Sequence, residues 1–159
     1  MTPRPQPSGD PASKGHLRLW LRLLKINRLI EAELRERLRL TFGTTLPRFD
    51  VMSALYRNPA GMKMSELSRL LMVSNGNVTG IVDRLTEDGL MLREAVPGDR
   101  RAARVRLTRR GIAEFERQAA AHESWVSELL GGLDPEQTQR ITDDLGSALT
   151  LKTAEAENG

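Results

Sequence analysis

Residues 64–90, MSELSRLLMVSNGNVTGIVDRLTEDGL, hold two short apolar stripes with almost nothing between them. Leu67, Leu70 and Leu71 give the first stretch one apolar face, and Val78, Ile81, Val82 and Leu85 keep to the i, i+3, i+4, i+7 pattern in the second. Met72-Val73-Ser74 leaves room only for a tight turn. Ser74 stands where an N-cap belongs, and Gly89 is placed to end the second helix. Two short helices joined this closely and packed on one core form a helix-turn-helix, whose second helix can lie in a DNA major groove. A plain helical hairpin of another fold has the same pattern, so the flanking sequence decides.

The next segment of the chain favours DNA. Met91 to Val96 and Arg104 to Thr108 read as short strands, with turn residues Pro97-Gly98-Asp99 between them. A polar loop carrying Arg100 and Arg101 directly after a helix-turn-helix reads as a wing that reaches an adjacent minor groove. The formal net charge is only +3, but it is unevenly placed. From Arg93 to Arg110 there are seven arginines against Glu94 and Asp99, whereas Gly111 onward carries ten acids and three bases. A basic middle before an acidic end points to a polyanion at the middle. A solvated arginine face is the alternative.

The flanks are helical. His16 to about Leu40 is expected as one long helix whose apolar residues, Leu19, Trp20, Leu23, Ile26 and Ile30 among them, spread over more than one stripe. Such a helix needs several packing partners, as a dimer-forming helix does, although a basic amphipathic helix also suits a membrane surface or a calmodulin-like groove. Leu46-Pro47 opens a helix that Asn58-Pro59 closes; Thr108 caps another that Gly131-Gly132 stops. Asp134-Pro135-Glu136-Gln137 is a capping box, and Ile141, Leu145, Ala148 and Leu149 stripe the helix behind it. The expected fold is mainly α with a small β-hairpin: a winged helix-turn-helix core between long N- and C-terminal dimerisation helices. The divisions are a disordered, proline-rich tail over 1–15, a dimerisation helix over 16–45, the DNA-binding lobe over 46–111, C-terminal dimerisation helices over 112–153 and a tail over 154–159.

Composition narrows the chemistry. Cysteine is absent, which excludes disulfides and thiol sensing, and the two histidines, His16 and His122, are too few for a histidine-based metal cluster unless many carboxylates join them. No phosphate loop, nucleophile motif or metal-ligand spacing is present, so neither an enzyme nor a cofactor is expected. With no apolar leader and no run of eighteen apolar residues, the chain is expected off the membrane and in the cytoplasm.

Residues from about Leu46 to Phe115 resemble the MarR family of bacterial regulators. The resemblance rests on Asp99-Arg100-Arg101, then Val105-x-Leu107-Thr108-x-x-Gly111, with Ser65-Glu66-Leu67-Ser68, Asn77-Val78-Thr79, Asp83-Arg84-Leu85 and Gly89-Leu90 with Arg93 in support. By position it puts the helix from Ser74 to Asp88 in the major groove, makes Arg101 the wing-tip side chain and Asp99 the partner that orients it, with Arg100 the alternative tip. A guanidinium suits a narrow, negative minor groove. Arg84, Arg104 and Arg106 are phosphate-contact candidates, Arg106 equally well a solvated strand residue. The family commonly has polar or basic side chains where this chain has Gly76 and Gly80. Both lie opposite the apolar stripe, so they either permit close approach to the groove, leaving base reading to Asn75, Asn77 and Thr79, or are merely tolerated.

For sensing, the resemblance implies a small anionic or aromatic ligand held between the dimer helices and the DNA-binding lobe. Ile112, Phe115, Ala119, His122, Val126 and Leu129 form a seam at three- and four-residue steps. His122 is then either a packed core histidine or the polar anchor of an aromatic slot lined by Trp20, Phe49, Met52 and Trp125. His122-Glu123-Ser124-Trp125, Leu71-Met72-Val73-Ser74 and Gly76-Asn77-Val78-Thr79-Gly80 also resemble a narrower branch that controls hydroxycinnamate degradation and responds to aromatic acyl-CoA thioesters. Arg35, Arg37 and Arg39 would meet the CoA phosphates, or else form a solvated face among Glu31, Glu33 and Glu36. The expected function is a homodimeric repressor bound to an inverted-repeat operator in double-stranded DNA and released by such a ligand. The alternative is a non-specific architectural DNA-binding protein with no ligand.

Overall fold

The computed structural model describes residues 9–149. Six helices and three strands run in the order α1 (Pro11–Phe42), α2 (Leu46–Tyr56), β1 (Met62–Lys63), α3 (Met64–Leu71), α4 (Asn75–Glu87), β2 (Met91–Val96), β3 (Asp99–Leu107), α5 (Arg109–Leu129) and α6 (Pro135–Ala148). This is the winged helix-turn-helix architecture, mainly helical with a small antiparallel sheet, that the sequence implies.

Helix ends obey local chemistry. The side chains of Thr45, Ser74, Thr108 and Asp134 each accept a hydrogen bond from a backbone N–H in the first turn they cap. At Asp134 the bond is reciprocal, because Gln137 accepts from the Asp134 N–H at 3.0 Å. Helix α1 starts earlier than expected. Asp10 accepts from the Ala12 N–H at 3.1 Å and Pro11 occupies the first turn, where its missing N–H costs nothing, so 11–15 are helical rather than tail. The rest of the proposed tails, 1–8 and 154–159, and residues 150–153 of the C-terminal segment lie outside the described residues.

The sheet order is β1-β3-β2, with Met62 opposite Val105 and Met91 opposite Leu107. Strand β1 is absent from the sequence reading because two residues cannot display an alternation. Strand β3 already begins at Asp99, so the backbone of Arg100 and Arg101 belongs to a strand beside the Pro97-Gly98 turn, not to a loop. The strands of the wing therefore reach further toward its tip than expected.

The core lies inside the lobe. Leu67, Val78, Val82, Leu85 and Val105 are fully buried, joined by Met52 and Leu55 from α2 and closed above by Phe115 of α5. Leu70 departs from the expected stripe: it is 45% exposed, whereas Leu71, one residue on, packs against the core. That turn is made by Met72 in the left-handed conformation (φ 55°), the N–H groups of Met72 and Val73 returning to Arg69 and Ser68 carbonyls. At the far side, α1 runs along α5, fixed by Arg37, which donates to both Glu33 and Glu128 at 2.8 Å. Helix α6 has no fully buried residue and makes little contact with any other element among the described residues. No helix among them is long and apolar enough to cross a membrane.

Candidate nucleic-acid interface and effector cleft

Helix α4 presents two opposite chemistries. Val78, Val82 and Leu85 face inward without exposure, whereas Gly76, Asn77, Thr79, Gly80 and Arg84 face outward. A Cβ added at Gly76 or Gly80 meets nothing within 4 Å, so in this chain the two glycines leave a flat strip on the outer face. Ser74 is committed to capping, accepting from the Asn77 N–H at 3.3 Å. Its hydroxyl therefore orders the helix start as well as facing outward. Arg84 has no ion-pair partner among the described residues and is exposed, as a phosphate-contacting guanidinium requires. Asp83, by contrast, accepts from Arg93 at 2.5 Å and ties α4 to β2.

The sheet sorts the other arginines. Arg106 pairs with Glu94 across the β2–β3 ladder at 2.7 Å, so it is a paired strand residue. Arg104 is half-buried and donates to the Gly61 carbonyl at 3.4 Å, which makes it a brace between β3 and the turn before β1 more than an exposed phosphate contact. Asp99 opens β3 at the wing turn. The side chains of Asn75, Arg100 and Arg101 lie outside the described residues, so the wing-tip assignment rests on the placement of their backbone alone.

Of the aromatic slot expected from the sequence, Phe49, Met52, His122 and Trp125 come together in one chain and Trp20 does not. His122 stacks on Phe49 with ring centres 4.6 Å apart, Phe115 lies against Phe49 at 5.4 Å, and Trp125 tilts against Phe42 at 6.2 Å. These rings fill the seam between α1, α2 and α5, and burial there holds the His122 pKa below the ordinary imidazole range. Met52 is fully buried beneath them. Trp20 is 57% exposed and sits 22 residues before Phe42 on the same helix, about 33 Å away at 1.5 Å per residue. Arg39 is paired with Glu36 at 2.6 Å, Arg37 with Glu33 and Glu128, and Arg35 is exposed.

A different cavity does form. A cleft of about 480 Å³ opens between the α1–α2 junction, the end of α4 and the start of α5. Phe42, Met52 and Leu90 give it apolar walls, and Arg48, Arg110, Asp88, Glu114 and Gln118 its polar ones. Arg48 donates to Asp88 at 2.5 Å. Glu114 accepts from the Gln118 amide at 3.1 Å and pairs with Arg117 at 3.2 Å. Arg110 has no ion-pair partner among the described residues and lies close to Gly89, beside the carbonyl end of α4. Two buried polar atoms in the walls, Arg48 Nε and Gln118 Oε1, have no hydrogen-bond partner among the described residues. One is a charged donor and the other an acceptor, so the cleft fits a small acid that also carries a donor. Of the residues expected to bind ligand, only Met52 lines it. Sequence reasoning missed Arg48, although a cation in the first turn of a helix, at the positive end of its dipole, is a signal that an acid waits nearby.

Comparison with known proteins gives a consistent picture. Residues 44–103 match the model of the MarR family. The chain is 33% identical over 101 residues to the HTH-type transcriptional regulator YkoM of Bacillus subtilis, 62% of this chain and 64% of YkoM, so it spans just under two thirds of that relative. It superposes with a TM-score of 0.73 and 32% identity on the crystal structure of a MarR family transcriptional regulator from Silicibacter pomeroyi, covering 87% of this chain and 96% of that one. A cysteine-to-serine mutant of E. coli MarR complexed with operator DNA matches at 25% identity and a TM-score of 0.71, over 89% of this chain and 99% of that one.

Proposed function

We propose, from the premise that this chain belongs to the MarR family, that it is a dimeric, sequence-specific DNA-binding repressor released from its operator by a small aromatic acid. Members of that family are transcriptional regulators, not enzymes. The observation that carries the reading is α4. One face is sealed into the core and the other is a polar strip of Asn77, Thr79 and Arg84 around two glycines, with a two-stranded wing beside it. The match to E. coli MarR complexed with operator DNA supports DNA as the partner.

Dimerisation is supported by what one chain leaves uncovered. Leu17, Trp20, Leu21, Ile26 and Leu29 on α1 and Ile141 and Leu149 at the other end are exposed apolar side chains. Two copies joined there would set their recognition helices about 34–36 Å apart, one turn of DNA, so the site should be an inverted repeat.

For release, the cleft supports a small acid better than a CoA thioester. Arg48 and Arg110 favour a free carboxylate, which the thioester lacks, and Arg39, offered to the CoA phosphates, is already paired with Glu36. An acid held there would favour a lobe position whose spacing no longer fits the operator. The test is a footprint on DNA upstream of the protein's own gene, followed by titration with p-hydroxycinnamate, its CoA thioester and CoA alone. One discrete palindromic footprint lifted by the free acid is expected. Broad, unbounded coverage would instead make this an architectural DNA-binding protein, and lifting by the thioester only would restore the acyl-CoA branch.

A further inference from the structure

Arg48 and Asp88 form the one side-chain ion pair among the described residues that joins α2 to the end of the recognition helix. Asp88 is the C-cap of α4, its N–H returning to the Arg84 carbonyl. Arg48 sits in the first turn of α2, just past the Gly43–Thr45 link from α1. The pair thus connects the reading helix to the first turn of α2, next to the link from α1. Its geometry is one-pronged: Asp88 takes Nη2 at 2.5 Å, while Nε, on the same edge of the guanidinium, is buried and bonded to nothing among the described residues.

A carboxylate engages arginine most strongly through two parallel bonds, and on this edge the two donors are Nε and Nη2. We infer that the Arg48–Asp88 pair is an exchangeable latch: an acid entering the cleft takes the Nε/Nη2 edge of Arg48, displaces Asp88, and so frees the end of α4 from α2. This rests on the reading of the cleft as an effector site. Asp88 is well placed to leave, its side chain being half exposed, so its charge returns to water at little cost. Arg110, beside the end of α4, holds the incoming charge while the exchange occurs. The aromatic body of the acid then lies against Phe42, Met52 and Leu90.

The test uses the full chain with Asp88→Asn, Arg48→Gln and the double variant, read by operator affinity and by p-hydroxycinnamate binding. Without the acid, Asp88→Asn should weaken operator binding about two- to fivefold, the strength expected of a partly exposed pair. The double variant should be no weaker than Arg48→Gln alone. The acid should bind Asp88→Asn more tightly than the parent by a similar factor, because the fork of Arg48 is already free, and should relieve operator binding less. Glu136→Gln, an equal change of charge on α6, should do none of this. Parent-like operator affinity in Asp88→Asn overturns the latch. Equal affinity of the acid for the parent and for Asp88→Asn overturns the exchange while leaving the cleft reading intact. If the acid neither binds nor releases the parent, the effector reading and the exchange fall together, and a coupled loss of DNA affinity in the variants would still mark the pair as a brace on α4.

Discussion

Gly111→Ala should be the most damaging single methyl group in the lobe. Gly111 stands in the first turn of α5, three residues after the capping Thr108, whose hydroxyl accepts from the Gly111 N–H at 3.0 Å. A Cβ at this position falls 1.9 Å from the Leu90 carbonyl oxygen and 2.9 Å from its carbon. Ordinary contact is roughly 1.5 Å longer than the first of these. The obstacle cannot rotate away, because it is backbone and because the same carbonyl accepts from the Thr108 N–H at 3.0 Å. Relief requires α5 to lift from the start of β2, which breaks that bond, the Thr108 hydroxyl bond to the Gly89 carbonyl at 2.7 Å and the seat of Phe115. Overpacking alone costs about 1–3 kcal/mol, and the loss of a capping bond adds about 1 kcal/mol. A destabilisation of roughly 3 kcal/mol is therefore expected, read as a lower urea midpoint at unchanged slope. A midpoint within error of the parent would refute the close approach of α5 to Leu90 and the packing of the lobe that depends on it.

Gly80→Ala is the opposite case: with open space around it, the change should stabilise the fold by about 1 kcal/mol, yet weaken operator binding if the strip it widens lies against DNA. Unchanged binding in a gel shift would make the glycines merely tolerated. Arg84→Ala should reduce affinity for operator and random DNA alike and lower the salt slope by about 0.9 per contact, roughly twice that for a symmetric dimer; Arg101→Ala, at the wing, should cost about 1–3 kcal/mol on the operator. Leu145→Asp in the stripe of α6 should shift the dimer toward monomer in sedimentation, because a buried unpaired charge is costly, and unaltered mass at micromolar concentration would remove α6 from the interface. His122, with its pKa depressed by burial, stays neutral in the fold while the unfolded chain takes up a proton below about 6.5. Stability should thus fall as pH drops through that value and level off beneath the depressed one, and His122→Gln should flatten this part of the profile in thermal melts.

The sequence disclosed what one helix or one turn decides. Ser74, Thr108 and the Asp134–Gln137 box cap where their side chains indicate, and the Val78–Leu85 stripe is the buried one. It hid whatever depends on height along a helix or on segments meeting in space. The spacing that puts His122 on an apolar seam says nothing of axial position, and so groups an exposed Trp20 with rings that pack near the other end of α1. The cleft draws Thr44, Arg48, Asp88, Arg110 and Gln118 from separate stretches, and no pattern within any one of them announces the others. Gly111 is visible as part of a motif; that a distant carbonyl, Leu90's, requires it is not.

Helix α6 carries its own capping box yet makes little contact with the other elements among the described residues. At fourteen residues it is too short to hold its shape alone in water. Seated on a second copy, as proposed, it would fold only as the copies meet. Helix content, dimer mass and operator occupancy should then decline together on dilution. Below the dissociation constant, occupancy would track the square of the protein's abundance, so that halving the cell's stock removes about three quarters of the bound species. A promoter under such control has a threshold set by copy number, in addition to any set by a ligand.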